Sequence, residues 1–88
     1  MNPLLKILVK QLIKGSKLKE GEIVAFTQLD EKIEVSILKN DIKTRTSLHE
    51  KSKNLEALFK TFKTDYFTIE ITKTNLIIKP KNGKTITL

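Results

Sequence analysis

Hydrophobic and polar positions change their spacing several times along the chain, and each change predicts an element. The first spacing is helical. Wound at about 100° per residue, Leu4, Leu5, Ile7, Leu8, Val9, Leu12 and Ile13 cover an arc of roughly 240°, leaving Lys6, Lys10 and Lys14 in the narrow remainder. Asn2 suits the N-cap, Pro3 the first helical position, where a missing N–H costs nothing, and Gly15 a left-handed stop. A helix over residues 3–14 follows. So wide an apolar arc on three turns needs cover on more than one side, either from the domain's own core or from a second protomer, a partner or a membrane surface.

After the polar connection 16–21, the period shortens to two. Strands are predicted over 22–29 and 32–39, the second with Ile33, Val35 and Ile37 on one face and Lys32, Glu34 and Ser36 on the other, around an Asp30-Glu31 tip. Asn40-Asp41, both tolerant of positive φ, predicts a tight turn into a short strand 42–46 with its two cations, Lys43 and Arg45, on the same side. Ser47-Leu48-His49-Glu50 has the spacing of a capping box and predicts a second helix over 48–63. Its apolar face would be Leu48, Leu55, Leu58, Phe59 and Phe62, and its polar face mainly Lys51, Lys53, Glu56, Lys60 and Lys63. Strands over 66–72, 76–79 and 84–88 complete the chain, with Phe67, Ile69 and Ile71 inward. Asn82-Gly83 is the strongest hairpin signal, and Pro80 places its strand end at an edge or past the pairing.

The order α-βββ-α-βββ predicts one α+β domain over residues 1–88, built of antiparallel β-meanders with the second helix packed on the sheet and an N-terminal amphipathic helix. One six-stranded sheet and two smaller ones both satisfy that order. The two halves repeat the element order without residue-by-residue identity, which argues against a duplication.

Composition narrows the chemistry. With 39% apolar and 31% charged residues the chain has the makings of a core and a soluble surface. The absence of cysteine excludes disulfides, thiolate metal sites and cysteine nucleophiles. His49 is the only histidine, the acidic pairs Glu20/Glu22 and Asp30-Glu31 have no nucleophile beside them, and Gly15, Gly21 and Gly83 are too scattered for a phosphate loop. The expectation is a protein that is not an enzyme and that uses neither cofactor nor metal. Lys6, Lys10 and Lys14 interrupt the only apolar stretch, which excludes a spanning helix of roughly 18 residues and a secretory segment, so a cytoplasmic protein is expected.

The formal charge of +7 is the compositional hint of a partner. Sixteen lysines accompany a single arginine, and eleven isoleucines accompany three valines, a bias that an AT-rich genome or a thermophile would also produce. Placement is more telling than the total. Residues 1–19 hold five lysines and no acid, residues 20–70 eight basic and ten acidic residues, and residues 71–88 four lysines and no acid. Two basic elements result: a helical row, Lys6, Lys10 and Lys14, extended by Lys17 and Lys19, and a hairpin with Lys79, Lys81 and Lys84 to which Lys43 and Arg45 could add. They point to DNA or RNA backbone contact of low sequence specificity, because one arginine cannot read base edges widely and only Phe26 and Tyr66 are spare for stacking on an open sheet face. The alternative is a protein-interaction or structural module, homodimeric through Leu4, Ile7, Leu8 and Ile13 of the first helix, a form that a regulatory or inhibitory protein of a virus or mobile element could take. Membrane attachment through that helix fits less well, because it is short and lacks tryptophan.

Overall fold

The computed structural model describes residues 3–19 and 21–88, so the proposed cap at Asn2 and the acid Glu20 lie outside the described residues. The chain is α+β, with helix α1 (Pro3–Ser16), strands β1 (Ile23–Gln28), β2 (Lys32–Lys39) and β3 (Ile42–Glu50), helix α2 (Lys53–Phe62), and strands β4 (Tyr66–Ile71), β5 (Leu76–Pro80) and β6 (Ile86–Thr87). The strands make one sheet in the order β3-β2-β1-β4-β5-β6, antiparallel at every pairing. Each α-βββ half therefore fills one half of the sheet, and β1 meets β4 at the centre.

The register explains the core. Val24 opposes Ile37 and Ile69, and Phe26 opposes Val35 and Phe67, so the inward residues of three strands share one face. Both helices cover that face: Val9, Ile13, Leu55, Leu58, Phe59 and Phe62 join the strand residues in one cluster. Phe67 is its hub, fully buried, with the rings of Phe26, Phe59 and Phe62 at 5.2, 5.0 and 5.2 Å. Phe26 is thus a core residue and not part of an open face, whereas Tyr66, paired with Thr27, is half-buried on the uncovered face.

Helix α2 is shorter at its N-terminus than the capping-box spacing predicts. Residues 47–50 instead continue β3 along β2, with Lys32 opposite Glu50 and Val35 opposite Ser47. The cap is Ser52, whose hydroxyl accepts the Leu55 N–H at 3.2 Å. A cross-strand ladder outweighs one local cap, and Leu48, expected on the helix's apolar face, is left 61% exposed. The Asn40-Asp41 turn forms as predicted, with φ of 53° and 64°. Lys43 and Arg45, by contrast, do not share a side. A bulge between Ile37 and Leu38 inserts Thr44, sending Lys43 to the uncovered face and Arg45 to the helix-covered one. The Asn82-Gly83 hairpin is looser than its sequence signal, because β6 pairs only at residues 86 and 87 and Pro80 brings no N–H to extend the ladder.

Helix α1 runs on past Gly15, and Lys17 takes the left-handed position at φ 51°. Helix α2 ends likewise at Lys63, φ 52°, whose N–H bonds the Lys60 carbonyl while the Thr64 N–H bonds that of Phe59. A left-handed lysine carries a conformational cost that glycine avoids. Lys63→Gly is therefore expected to stabilise the fold by about 0.5–1 kcal/mol, read as a rise in the urea midpoint at unchanged slope.

Candidate functional site

Because neighbouring strands run in opposite directions, the α1–β1 connection, the β2–β3 turn and the β4–β5 turn meet at one end of the sheet. Each presents lysine. In the first connection the Lys19 carbonyl accepts the Glu22 N–H at 3.1 Å, and the Glu22 carboxylate accepts the Lys19 N–H at 2.8 Å, a reciprocal clasp that fixes the backbone beneath Lys19. In the third, Thr72 and Asn75 close the turn through the Thr72 N–H to the Asn75 carbonyl and the Asn75 N–H to the Thr72 hydroxyl, both 2.9 Å, with Lys73 on the turn. Lys19 and Lys73 line the same small cleft, about 240 Å³, with Leu18, Ile71 and Thr72. Lys39 lies at the end of β2, directly before the left-handed Asn40-Asp41 turn.

Lys17, Lys19, Lys39 and Lys73 are all exposed, and none makes an ion pair with a described residue. Of the described carboxylates in the three connections, Glu22 is buried and engaged by Arg45 at 3.6 Å, which leaves Asp41 as the exposed one. The opposite end of the sheet is mixed, with Asp30, Glu31 and Asp65 in its turns beside exposed Lys63, Lys81 and Lys84. The first and last acid-free stretches of the chain thus converge at 17–19 and 71–73, with Lys39 beside them.

The candidate residues read from sequence are dispersed. Lys10, Lys14 and Lys17 are exposed, but Lys6 is half-buried. Lys43 pairs with Glu34 at 3.2 Å and Arg45 with Glu22, on opposite faces of β3. Lys79, Lys81 and Lys84 lie near the far end of β5 and beyond it, and β5 is four strands from β3, a separation of about 19 Å at typical strand spacing. Lys43 and Arg45 therefore cannot extend the hairpin. Lys39 and Lys73 were not legible as partners of Lys19 from spacing alone. The available signal was strand parity: in an antiparallel meander the start of β1, the end of β2 and the end of β4 share one end of the sheet.

A larger concavity lies elsewhere, an open groove of about 580 Å³ between α1 and β3. Leu12, Phe26, Val35, Ile37 and Leu55 form its apolar floor, and Arg45, Ser47 and His49 line its β3 side. The Ser47 hydroxyl lies 2.8 Å from His49 Nε2. No carboxylate among the described residues hydrogen-bonds the imidazole to orient it, so the pair lacks the third group on which an activated serine depends. At the end of β3, a hydrogen bond from Lys32 and the Lys32 charge hold the exposed Glu50 carboxyl below its ordinary value. The described residues contain no grouping of three or more metal-binding side chains and no helix long and apolar enough to cross a membrane.

On helix α1, Val9 and Ile13 are buried and Leu5 and Leu12 pack against the core, while Leu4 and Ile7 are 62% and 53% exposed. The buried direction centres on Val9, roughly 80° from the middle of the apolar arc at about 100° per residue. That rotation brings the Lys6 stem toward the sheet and turns Leu4 and Ile7 outward, with Leu8 half-buried between.

Comparison of the chain with protein-family models, curated proteins and solved structures gives no match. Its function must be argued from its own residues.

Proposed function

We propose that this chain is a non-enzymatic nucleic-acid-associated protein that contacts the phosphate backbone, with low sequence specificity, through the lysine-bearing end of its sheet. The carrying observation is the division of its cations. Three cations of β2 and β3 are paired within the fold, Lys32 with Glu50, Lys43 with Glu34 and Arg45 with Glu22, whereas Lys17, Lys19, Lys39 and Lys73 stand exposed at three adjoining connections. Neighbouring strands lie about 5 Å apart, so lysines spread over three connections can reach several phosphates of one backbone. Lysine supplies point charge without a fixed donor fork, which favours attraction over base reading. Buried Phe26 leaves Tyr66 as the one aromatic side chain on the uncovered sheet face, so single-strand stacking is a minor contribution.

The test is retention of duplex and single-stranded DNA and RNA across a salt series. Binding at about 50 mM salt that falls steeply by about 200 mM is expected. No retention of any of them at the lower salt would refute the reading.

A second reading, a homodimer through α1, is favoured by the exposure of Leu4 and Ile7. Ile13 and half-buried Leu8 are less available to it. Sedimentation of the wild type and of Leu4→Glu/Ile7→Glu decides it: a dimer that becomes a monomer supports the helix interface, and a monomer in both removes it.

A further inference from the structure

The sheet ends very differently on its two sides. Strand β6 contributes two residues, whereas β3 is a nine-residue edge with every residue exposed. Its partner β2 buries Ile33 and Ile37 completely or nearly so, which shows that the helical layer stops one strand short of the edge. A long bare edge presents unpaired N–H and C=O groups and is normally protected by lysine, proline or a bulge. Here the protection is confined to the first half, where Lys43 and the Thr44 bulge lie. The stretch Thr46–Glu50 runs in regular register with β2 and carries Leu48, 61% exposed. Ile42, at the start of the strand, is 67% exposed.

The strand's charge is polarised: Lys43 and Arg45 lie before its midpoint, and Glu50 at its end. Antiparallel pairing with an identical strand sets the cationic half of each copy against the acidic end of the other, whereas parallel pairing sets like against like. Lys43 and Glu50 both project on the uncovered face, since their partners Glu34 and Lys32 meet them there. A two-fold axis at Thr46 brings Glu50 of one copy beside the Lys43 region of the other and lays Leu48 across the Thr44–Thr46 segment. On the groove side the same axis places Arg45 opposite Ser47.

We propose that β3 is a self-association edge, at which a second copy of this chain pairs antiparallel about Thr46 to continue the sheet to twelve strands. The partner supplies the missing backbone hydrogen bonds, covers Leu48, and closes the β3 side of the groove lined by Ser47 and His49. This interface is distinct from helix α1 and from the lysine-bearing end, so its fate is independent of both earlier readings.

The chain has no cysteine, which makes single-cysteine variants decisive. At an antiparallel two-fold through residue 46, the two copies of that residue have Cα atoms about 4.5–5.5 Å apart, within disulfide reach. The two copies of residue 49 are six residues apart along the strands, about 20 Å. Under mild oxidation Thr46→Cys is expected to become almost entirely cross-linked dimer while His49→Cys stays monomeric, and circular dichroism establishes that both are folded. In parallel, equilibrium sedimentation from about 10 μM to 1 mM is expected to show the 10.1 kDa chain doubling its mass. Leu48→Lys should hold it at the single mass, and Leu4→Glu/Ile7→Glu should leave the doubling unchanged. Equal cross-linking of both cysteine variants, a wild type monomeric over the whole range, or a dimer abolished by the α1 variant but not by Leu48→Lys would each overturn the proposal.

Discussion

Replacing Phe67 by alanine is expected to lower the melting temperature by roughly 12–40 °C, or to leave the chain unfolded at 37 °C. Phe67 is fully buried on central strand β4 and is the one residue whose ring meets three other aromatic rings, Phe26 across the strand pair and Phe59 and Phe62 from α2. Truncating such a residue costs about 3–5 kcal/mol, from lost transfer energy and from the cavity that remains. Each kcal/mol moves the midpoint of a domain this size by roughly 4–8 °C. Total stabilities lie in the range of about 5–15 kcal/mol, so a chain near the lower limit would not survive the change. Calorimetry of the purified variant, with Phe67→Leu as the milder truncation that removes less volume, measures the effect. A drop of only a few degrees would mean that α2 is not seated on the sheet through this ring.

The second large effect concerns binding. Lys19→Glu/Lys39→Glu/Lys73→Glu is expected to reduce the slope of log affinity against log salt by about 2.7, since each lost phosphate contact removes about 0.9. Affinity at about 50 mM salt should fall by two or more orders of magnitude, because counterion release supplies most of nonspecific binding. The control is Lys53→Glu/Lys60→Glu/Lys63→Glu, exposed positions at α2 and its cap. Both triple variants take the formal charge from +7 to +1, six units lower. If net charge alone attracts the polyanion, the two lose equally. If the sheet end is the contact surface, the first loses its salt slope and the second retains most of it. Equal loss would remove the assignment of the site while leaving a nonspecific attraction in place.

The folding of residues 42–52 shows where local reading stops. Ser47-Leu48-His49-Glu50 has the spacing of a helix start, and nothing within those four residues opposes one. What opposes it is β2, which lies outside any local window: Lys32, Ile33, Glu34 and Val35 present a hydrogen-bonding edge with which residues 50, 49, 48 and 47 pair. The helix then begins at the next available serine, Ser52. The separation of Lys43 from Arg45 has the same origin, since a bulge is a property of two strands together and alternation within one strand cannot report it. Helix α1 was legible in extent to within two residues at its end, but its rotation was not, because its apolar arc is wider than the face that the sheet covers.

The sequence by itself determined the element order, the α+β class, the Asn40-Asp41 turn, most of the apolar residues that make the core, and the acid-free character of both chain ends. These are short-range properties: periodicity, turn propensity and composition act within a few residues. Tertiary structure alone decided that the strands form one sheet with β1 against β4, that Leu4, Ile7 and Leu48 remain outside the core, and that Lys32, Lys43 and Arg45 are paired. It also decided which lysines are neighbours. Lys19, Lys39 and Lys73 are separated by twenty or more residues in the chain, and only the alternating direction of antiparallel strands carries their connections to the same end.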